Sequence, residues 1–193
     1  PWLSRFFTKQ GHPVLVANAR KTRAIWGDDR KSDQRDARML ARLGRVDPAL
    51  LHPIRHCSEQ TQRDMALLKA RDILVRTRSS LISATRGVLK SLGIDLPTGC
   101  SAESFERKAS ALLNESERAL VTAQLELIKV ANEEIKLLDG KITTLIRERY
   151  PIASHLQQIH GVGPITALCF VLTIESPQRF KDNRQVGAYL GLV

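Results

Sequence analysis

The sequence predicts a mixed but mostly α-helical fold: a short α/β segment, a long helical arm, then a second helical segment. Three observations carry this. Apolar residues recur every seven positions through residues 58–92 and 115–150. The chain opens on a helix-like stretch, a glycine and a five-residue apolar run, the order of an α/β layer. Near its end a Gly-x-Gly turn separates two apolar-periodic segments.

Each element follows from local chemistry. Trp2 to Gln10 reads as an amphipathic helix stopped by Gly11, and Pro13-Val14-Leu15-Val16-Ala17 as a short buried strand. A basic connector, Asn18 to Ser32, contains Asp28-Asp29 as a solvated turn. It leads to a helix over Asp33–Leu43, closed by Gly44, with a turn at Asp47-Pro48. From Ser58 to Leu92 the pairs Leu67/Leu68, Leu74/Val75, Leu81/Ile82 and Val88/Leu89 recur, with Ala70, Thr77, Ala84 and Ser91 expected on the same side. From Glu115 to Tyr150, Val121, Ile128, Ile135 and Ile142 hold one register position and Ala131, Leu138 and Leu145 the other. A polar connector, Gly93 to Asn114, joins the two helices, which predicts an antiparallel coiled-coil hairpin or a dimerising pair. Arg71, Arg76 and Arg78 on the first helix are expected to attract Glu126, Glu133 and Glu134 on the second.

The last segment places Gly161-Val162-Gly163 between two apolar-periodic stretches, with Pro164 suited to a helix's first turn. This is a helix-hairpin-helix-like pattern, whose open N–H groups bind phosphate. A plain αα-turn is the alternative, because no Lys or Arg lies within the hairpin. Phe180-Lys181 and Val186 to Leu190 predict a further short helix. The resulting domains are 1–57, 58–150 with a connector at about 93–114, and 151–193.

Thirty Lys+Arg against twenty Asp+Glu give the chain +10. Residues 1–58 hold twelve basic and five acidic groups, residues 59–92 seven and three, and residues 93–149 reverse the balance. A polyanion partner is expected, DNA first. Lys31, Arg35 and Arg38 are the expected phosphate contacts, with the hairpin Gly161, Val162 and Gly163. No apolar run approaches the roughly 20 residues of a membrane span, so no membrane partner is expected. Three widely spaced cysteines support neither a disulfide scaffold nor a thiolate zinc site, and a reducing compartment is the default. Aromatics at 5% argue against single-strand stacking platforms. Pro1 without Met, and an end just after an apparent helix, read as an internal fragment.

The chemistry is expected at Lys31-Ser32-Asp33-Gln34-Arg35-Asp36-Ala37. Two carboxylates at i and i+3 share a helix face, roughly 5–6 Å apart at Cβ. A divalent cation relieves their repulsion, and paired Mg²⁺ ions serve phosphoryl transfer. The same spacing also suits an N-cap with first-turn charge, and two carboxylates are too few for a two-metal site. His52, His56 and Cys57 predict no metal site, since Pro53 interrupts the helix that would align them.

Several blocks occur in a telling order: His12-Pro13-Val14-Leu15-Val16-Ala17-Asn18, then Lys31 to Ala37, then the helical pair, then Ile159-His160-Gly161-Val162-Gly163-Pro164-Ile165-Thr166-Ala167 with Gly187-Ala188-Tyr189-Leu190-Gly191-Leu192. Together they resemble the DEDD-type insertion-sequence transposases, the bacterial family that includes the Piv DNA invertases. The resemblance spans almost the whole chain. It implies a RuvC-like (RNase H-type) N-terminal domain, with residues 1–57 as its C-terminal part. Of that family's four acidic residues, the last two sit in a K-[ST]-D-x-x-D-A motif, which Asp33 and Asp36 match as catalytic and Mg²⁺-binding residues. The first Asp and the Glu would lie before Pro1 and a strand-exchange serine beyond Val193, so this fragment is expected to be inactive alone. The resemblance further implies oligomers joined through the helical arm, a noncoding guide RNA and a cytoplasmic, nucleoid-associated location. The competing expectation is a non-catalytic helical nucleic-acid-binding or assembly protein.

Overall fold

The computed structural model describes residues 1–22 and 32–192, and among them every regular element is helical. They form two compact units, Pro1–Ser58 and Glu59–Val193.

In the first unit, α1 spans Trp2–Lys9. Gly11, at φ +83°, ends it: the Gly11 N–H bonds Thr8 O at 3.0 Å and the His12 N–H bonds Phe7 O at 3.1 Å. The strand expected over Pro13–Ala17 does not form. The chain there is extended, and Val14 and Leu15 are exposed rather than buried. Two backbone bonds tie the stretch to an antiparallel neighbour, Ile54 N–H to Val16 O and Asn18 N–H to Leu51 O, both at 2.9 Å. Pro13 lacks a donor and His52 takes a left-handed φ of 44°, so the ladder goes no further. The mixed α/β expectation is therefore corrected to an all-helical one for the described residues. α2 runs Asp33–Val46, capped by Ser32, whose Oγ accepts from the Arg35 N–H at 3.3 Å. Gly44 does not close it but lies inside the helix, against Leu51 of the short 3-10 turn Pro48–Leu51.

The second unit is built on α3 (Glu59–Ser91) and α5 (Glu115–Arg149), each about 50 Å long at 1.5 Å per residue. Asp64 meets Arg149, Arg71 meets Asp139 and Arg78 meets Asn132, so the pair is an antiparallel hairpin within one chain. Val121, Ile128, Ile135 and Ile142 are buried as the heptad predicts, and Ala131 with them. On α3, Leu68 and Leu89 are buried, but Ala70, Thr77, Ala84 and Ser91 face solvent. The second row of the seam is polar instead: Asp64, Arg71, Arg78 and Thr85, seven residues apart. The expected attraction to Glu126, Glu133 and Glu134 is also corrected. Arg71 and Arg78 pair with Asp139 and Asn132, and Arg76 with Asp72 of its own helix.

The connector contains a helix the sequence reading missed, α4 (Phe105–Leu112). Phe105, Ala109 and Leu113 are spaced by four, and this single buried face packs on Val121, Leu125 and Ile128. Arg86 holds the connector at its other end, donating to Leu96 O at 3.0 Å and Pro97 O at 2.8 Å beneath the Phe105 ring. α5 starts on a capping box, Asn114 with Glu117. α6 (Pro151–Leu156), α7 (Pro164–Ile174) and α8 (Asn183–Leu190) complete the unit, and Ala167, Leu168 and Leu172 of α7 close a core with Leu68, Ile142 and Ile146.

Candidate functional site

Asp33 and Asp36 occupy the first turn of α2. Because Ser32 is the cap, neither aspartate is used to satisfy the helix end. Asp33 is exposed and Asp36 half-buried, and among the described residues neither carboxylate has a side-chain partner. At about 100° per residue both fall on the side of α2 that carries Leu40 and Leu43. Arg35, Arg38, Arg42 and Arg45 fall on roughly the opposite side, all exposed. The helix thus gathers four arginines into one stripe but separates them from the aspartates. Lys31 and Asp28-Asp29 lie outside the described residues.

As a metal centre the aspartates fit in kind and fall short in number. Two unpartnered carboxylates on one helix face are hard oxygen donors, whereas Mg²⁺ takes about six ligands. No group of three or more His, Cys, Asp or Glu comes together among the described residues, His52, His56 and Cys57 included.

The hairpin lies between α6 and α7. Gly161 takes φ +84°, which a side chain would strain, whereas Gly163 is the extended N-cap of α7 at φ −83°. Val162 packs inward on the α7 core. Pro164 begins α7, and Gly163 has no side chain with which to cap it, so the first-turn N–H groups stay open at an exposed turn. α8 follows with Asp182 as its cap, and the Arg179 guanidinium stacks on the Phe180 and Tyr189 rings at 4.9 and 4.4 Å.

Sequence reasoning missed the polar cluster at the base of the arm. Asp64, 7% exposed, accepts from Arg149 Nη1 at 3.0 and 2.9 Å, from the Tyr150 hydroxyl at 2.7 Å and from Gln60 Nε2 at 3.0 Å. Burial pushes its pKa up, but the hydrogen bonds from Tyr150, Arg149 and Gln60 outweigh that and hold the carboxyl below its ordinary value. Burial and the bond to Asp64 push the Tyr150 phenol up to about 12. The signal was available: Asp64, Arg71, Arg78 and Thr85 are spaced by seven.

Comparison with known families decides the class. Residues 1–94 match a family described as "Transposase", of the DEDD type, and residues 153–193 match the "Transposase IS116/IS110/IS902 family". The chain belongs to the IS110/IS116/IS902 family of DEDD transposases.

This transposase-family chain is 26% identical to the transposase for insertion sequence element IS1111A of Coxiella burnetii, over 98% of its own length and 52% of that protein's. It is 27% identical to the "Probable family 20 transposase" of Pseudomonas aeruginosa, over 98% of the chain and 57% of the relative. With the transposase for element IS1328 of Yersinia enterocolitica it shares 24% identity, over 100% and 57%. The chain therefore spans about half the length of the curated relatives it matches. No solved structure matches it significantly. Among the described residues no helix is long and apolar enough to cross a membrane.

Proposed function

We propose that this chain is part of an insertion-sequence transposase whose whole protein cleaves and joins DNA strands with a divalent cation, and that the chain alone is inactive. The observation that supports it is the position of Lys31-Ser32-Asp33-Gln34-Arg35-Asp36-Ala37 inside the N-terminal family match, with two unpartnered carboxylates on one face of α2. In this reading residues 1–57 are the C-terminal part of a RuvC-like domain, 58–150 an arm, and 151–193 the start of a C-terminal domain. Asp33 and Asp36 supply two ligands, and the remainder come from elsewhere in the whole protein. Mg²⁺, when bound, would stabilise the attacking and leaving oxygens of a phosphodiester.

The chain's own part is positioning. α2 presents the aspartates on its packing side and Arg35 and Arg38 on its solvent side, so duplex phosphates are held without neutralising the carboxylates. The Gly161–Gly163 turn offers the open N–H groups of α7 to a second stretch of backbone. The arm joins protomers, and a guide RNA of the element and a nucleoid location complete the reading.

The test is transposition by the full-length parent carrying Asp33→Asn and Asp36→Asn. Activity should fall by at least about 100-fold, about 2.7 kcal/mol of barrier, while DNA retention and helicity stay near wild type. Undiminished transposition would sink the catalytic reading and favour a non-catalytic binding or assembly protein.

A further inference from the structure

Within the first unit, α1 and the segment that follows Ile54 enclose a cleft of 630 Å³. Its floor includes Val16 and Ile54, whose backbones are bonded to each other at 2.9 Å. Arg5 and Lys9, one turn apart on α1, stand on one wall, and Arg55 and His56 on the other. Among the described residues no acidic side chain lines the cleft, and Arg5, Lys9 and Arg55 take no part in the ion pairs found there. Arg5 carries the sharpest signal. Its Nη1 is shut off from solvent and has no hydrogen-bond partner among the described residues. A guanidinium cannot shed its proton, so the unmet donor is a standing cost, relieved when the side chain turns outward to an anion in the cleft. His56, by contrast, adds little charge at neutral pH: burial lowers its pKa, and the charge of Arg5 lowers it further.

Three cations without a carboxylate partner among the described residues exceed what one carboxylate needs, and the apolar floor suits a sugar or base beside the anion. A volume in the range of ordinary ligand sites admits about a nucleotide. We propose that Arg5, Lys9 and Arg55 form a site for the backbone phosphates of a nucleic-acid strand, distinct from the α2 arginine stripe and the Gly161–Gly163 turn. The site goes beyond the transposase reading and does not depend on Asp33 or Asp36.

Cys57 lines the same cleft and can report on it. Alkylation of Cys57 in the 193-residue chain is followed by mass spectrometry, with Cys100 and Cys169 as internal references, alone and with a short duplex DNA or an RNA hairpin of equal charge. Selective protection of Cys57 is expected, and the stronger protector of the two identifies the strand. In parallel, Arg5→Gln with Arg55→Gln should flatten the log–log salt dependence of duplex binding by roughly two, at about 0.9 per phosphate contact. The exposed Arg55→Gln alone, which cannot disturb packing, should flatten it by about half that. Arg107→Gln with Lys108→Gln on α4 removes the same charge and should leave both readouts unchanged. The site is overturned if neither nucleic acid protects Cys57. It is equally overturned if the α4 pair lowers the slope as much as the cleft pair, or if Arg55→Gln leaves the slope at wild type.

Discussion

Arg71 and Asp139, 68 residues apart in sequence, meet across the arm with Nε 2.7 Å from Oδ1, and both remain partly open to water. One heptad further along α3, Arg78 reaches Asn132 at the same 2.7 Å, but there the arginine is only 9% exposed and its Nε has no partner among the described residues. Two similar contacts thus have different energetics. The first is a half-solvated ion pair, the second a desolvated cation held by a neutral amide.

The difference is measurable by urea unfolding. Arg71→Ala should lower stability by no more than about 1 kcal/mol. Asn132→Leu leaves Arg78 buried without its acceptor and should lower it by about 2 kcal/mol. Arg78→Met removes the buried charge along with its unmet donor and should fall within about 1 kcal/mol of wild type. Equal losses for Arg71→Ala and Asn132→Leu would refute the distinction.

The base of the arm should impose opposite pH limits through two groups. Asp64 is held below its ordinary value of 3.8, so its contribution is present above that value and is lost as pH falls through the lowered one. Asp64→Asn should therefore flatten the acid limb of stability against pH. The Tyr150 phenol is raised from 10.0 to about 12, so its contribution is present below 10.0 and is lost as pH rises through about 12. Near-ultraviolet titration should show one of the two tyrosines ionising late, and Asp64→Asn should bring it earlier. Two tyrosines titrating together would count against the contact.

At the hairpin the two glycines should behave unequally. Gly161 sits at φ +84° with nothing within 4 Å of where a Cβ would go, so Gly161→Ala is expected to cost about 1 kcal/mol through backbone strain alone. Gly163, at φ −83° and equally uncrowded, should accept alanine with little change. Thermal melts of the two variants decide it, and equal losses would mean that the turn is held by something other than φ.

Assembly through the arm is to be tested on its exposed face and not on its seam. Val75 and Ile82 belong to the row of α3 that faces α5, so charges there would unfold the hairpin rather than separate protomers. Leu120, Leu127, Val130 and Leu137 lie on α5 at spacings of three and seven and are each more than half exposed. If the arm joins protomers, Leu127→Glu with Leu137→Glu should lower the mass seen by light scattering while helicity holds. An unchanged mass would mean that this stripe is not the interface.

The long helices were legible because heptads, caps and glycines act locally. Gly11, Asn114 and Pro164 end or begin helices as their chemistry dictates. α4 was not, because a lone helix of two turns shows only Phe105, Ala109 and Leu113 as its period. The apolar run after Pro13 misled because a strand depends on its partner as well as its own composition, and only two bonds with residues 51–54 form. In the candidate site, the spacing of Asp33 and Asp36 was readable. Their separation from Arg35 and Arg38 needed the wheel of α2, and the Arg5 cleft joins residues fifty positions apart that no local pattern connects.

The polar row of the arm also acts as a key. If α3 slid by seven residues along α5, apolar rows would still meet apolar rows, and the hydrophobic pattern alone would tolerate the slip. The charges would not: Asp64 would come opposite Asp139, and Arg78 opposite Leu125. A shaft about 50 Å long with a single permitted phase transmits both distance and rotation. Whatever orients one end of the arm thereby orients the other, without slack.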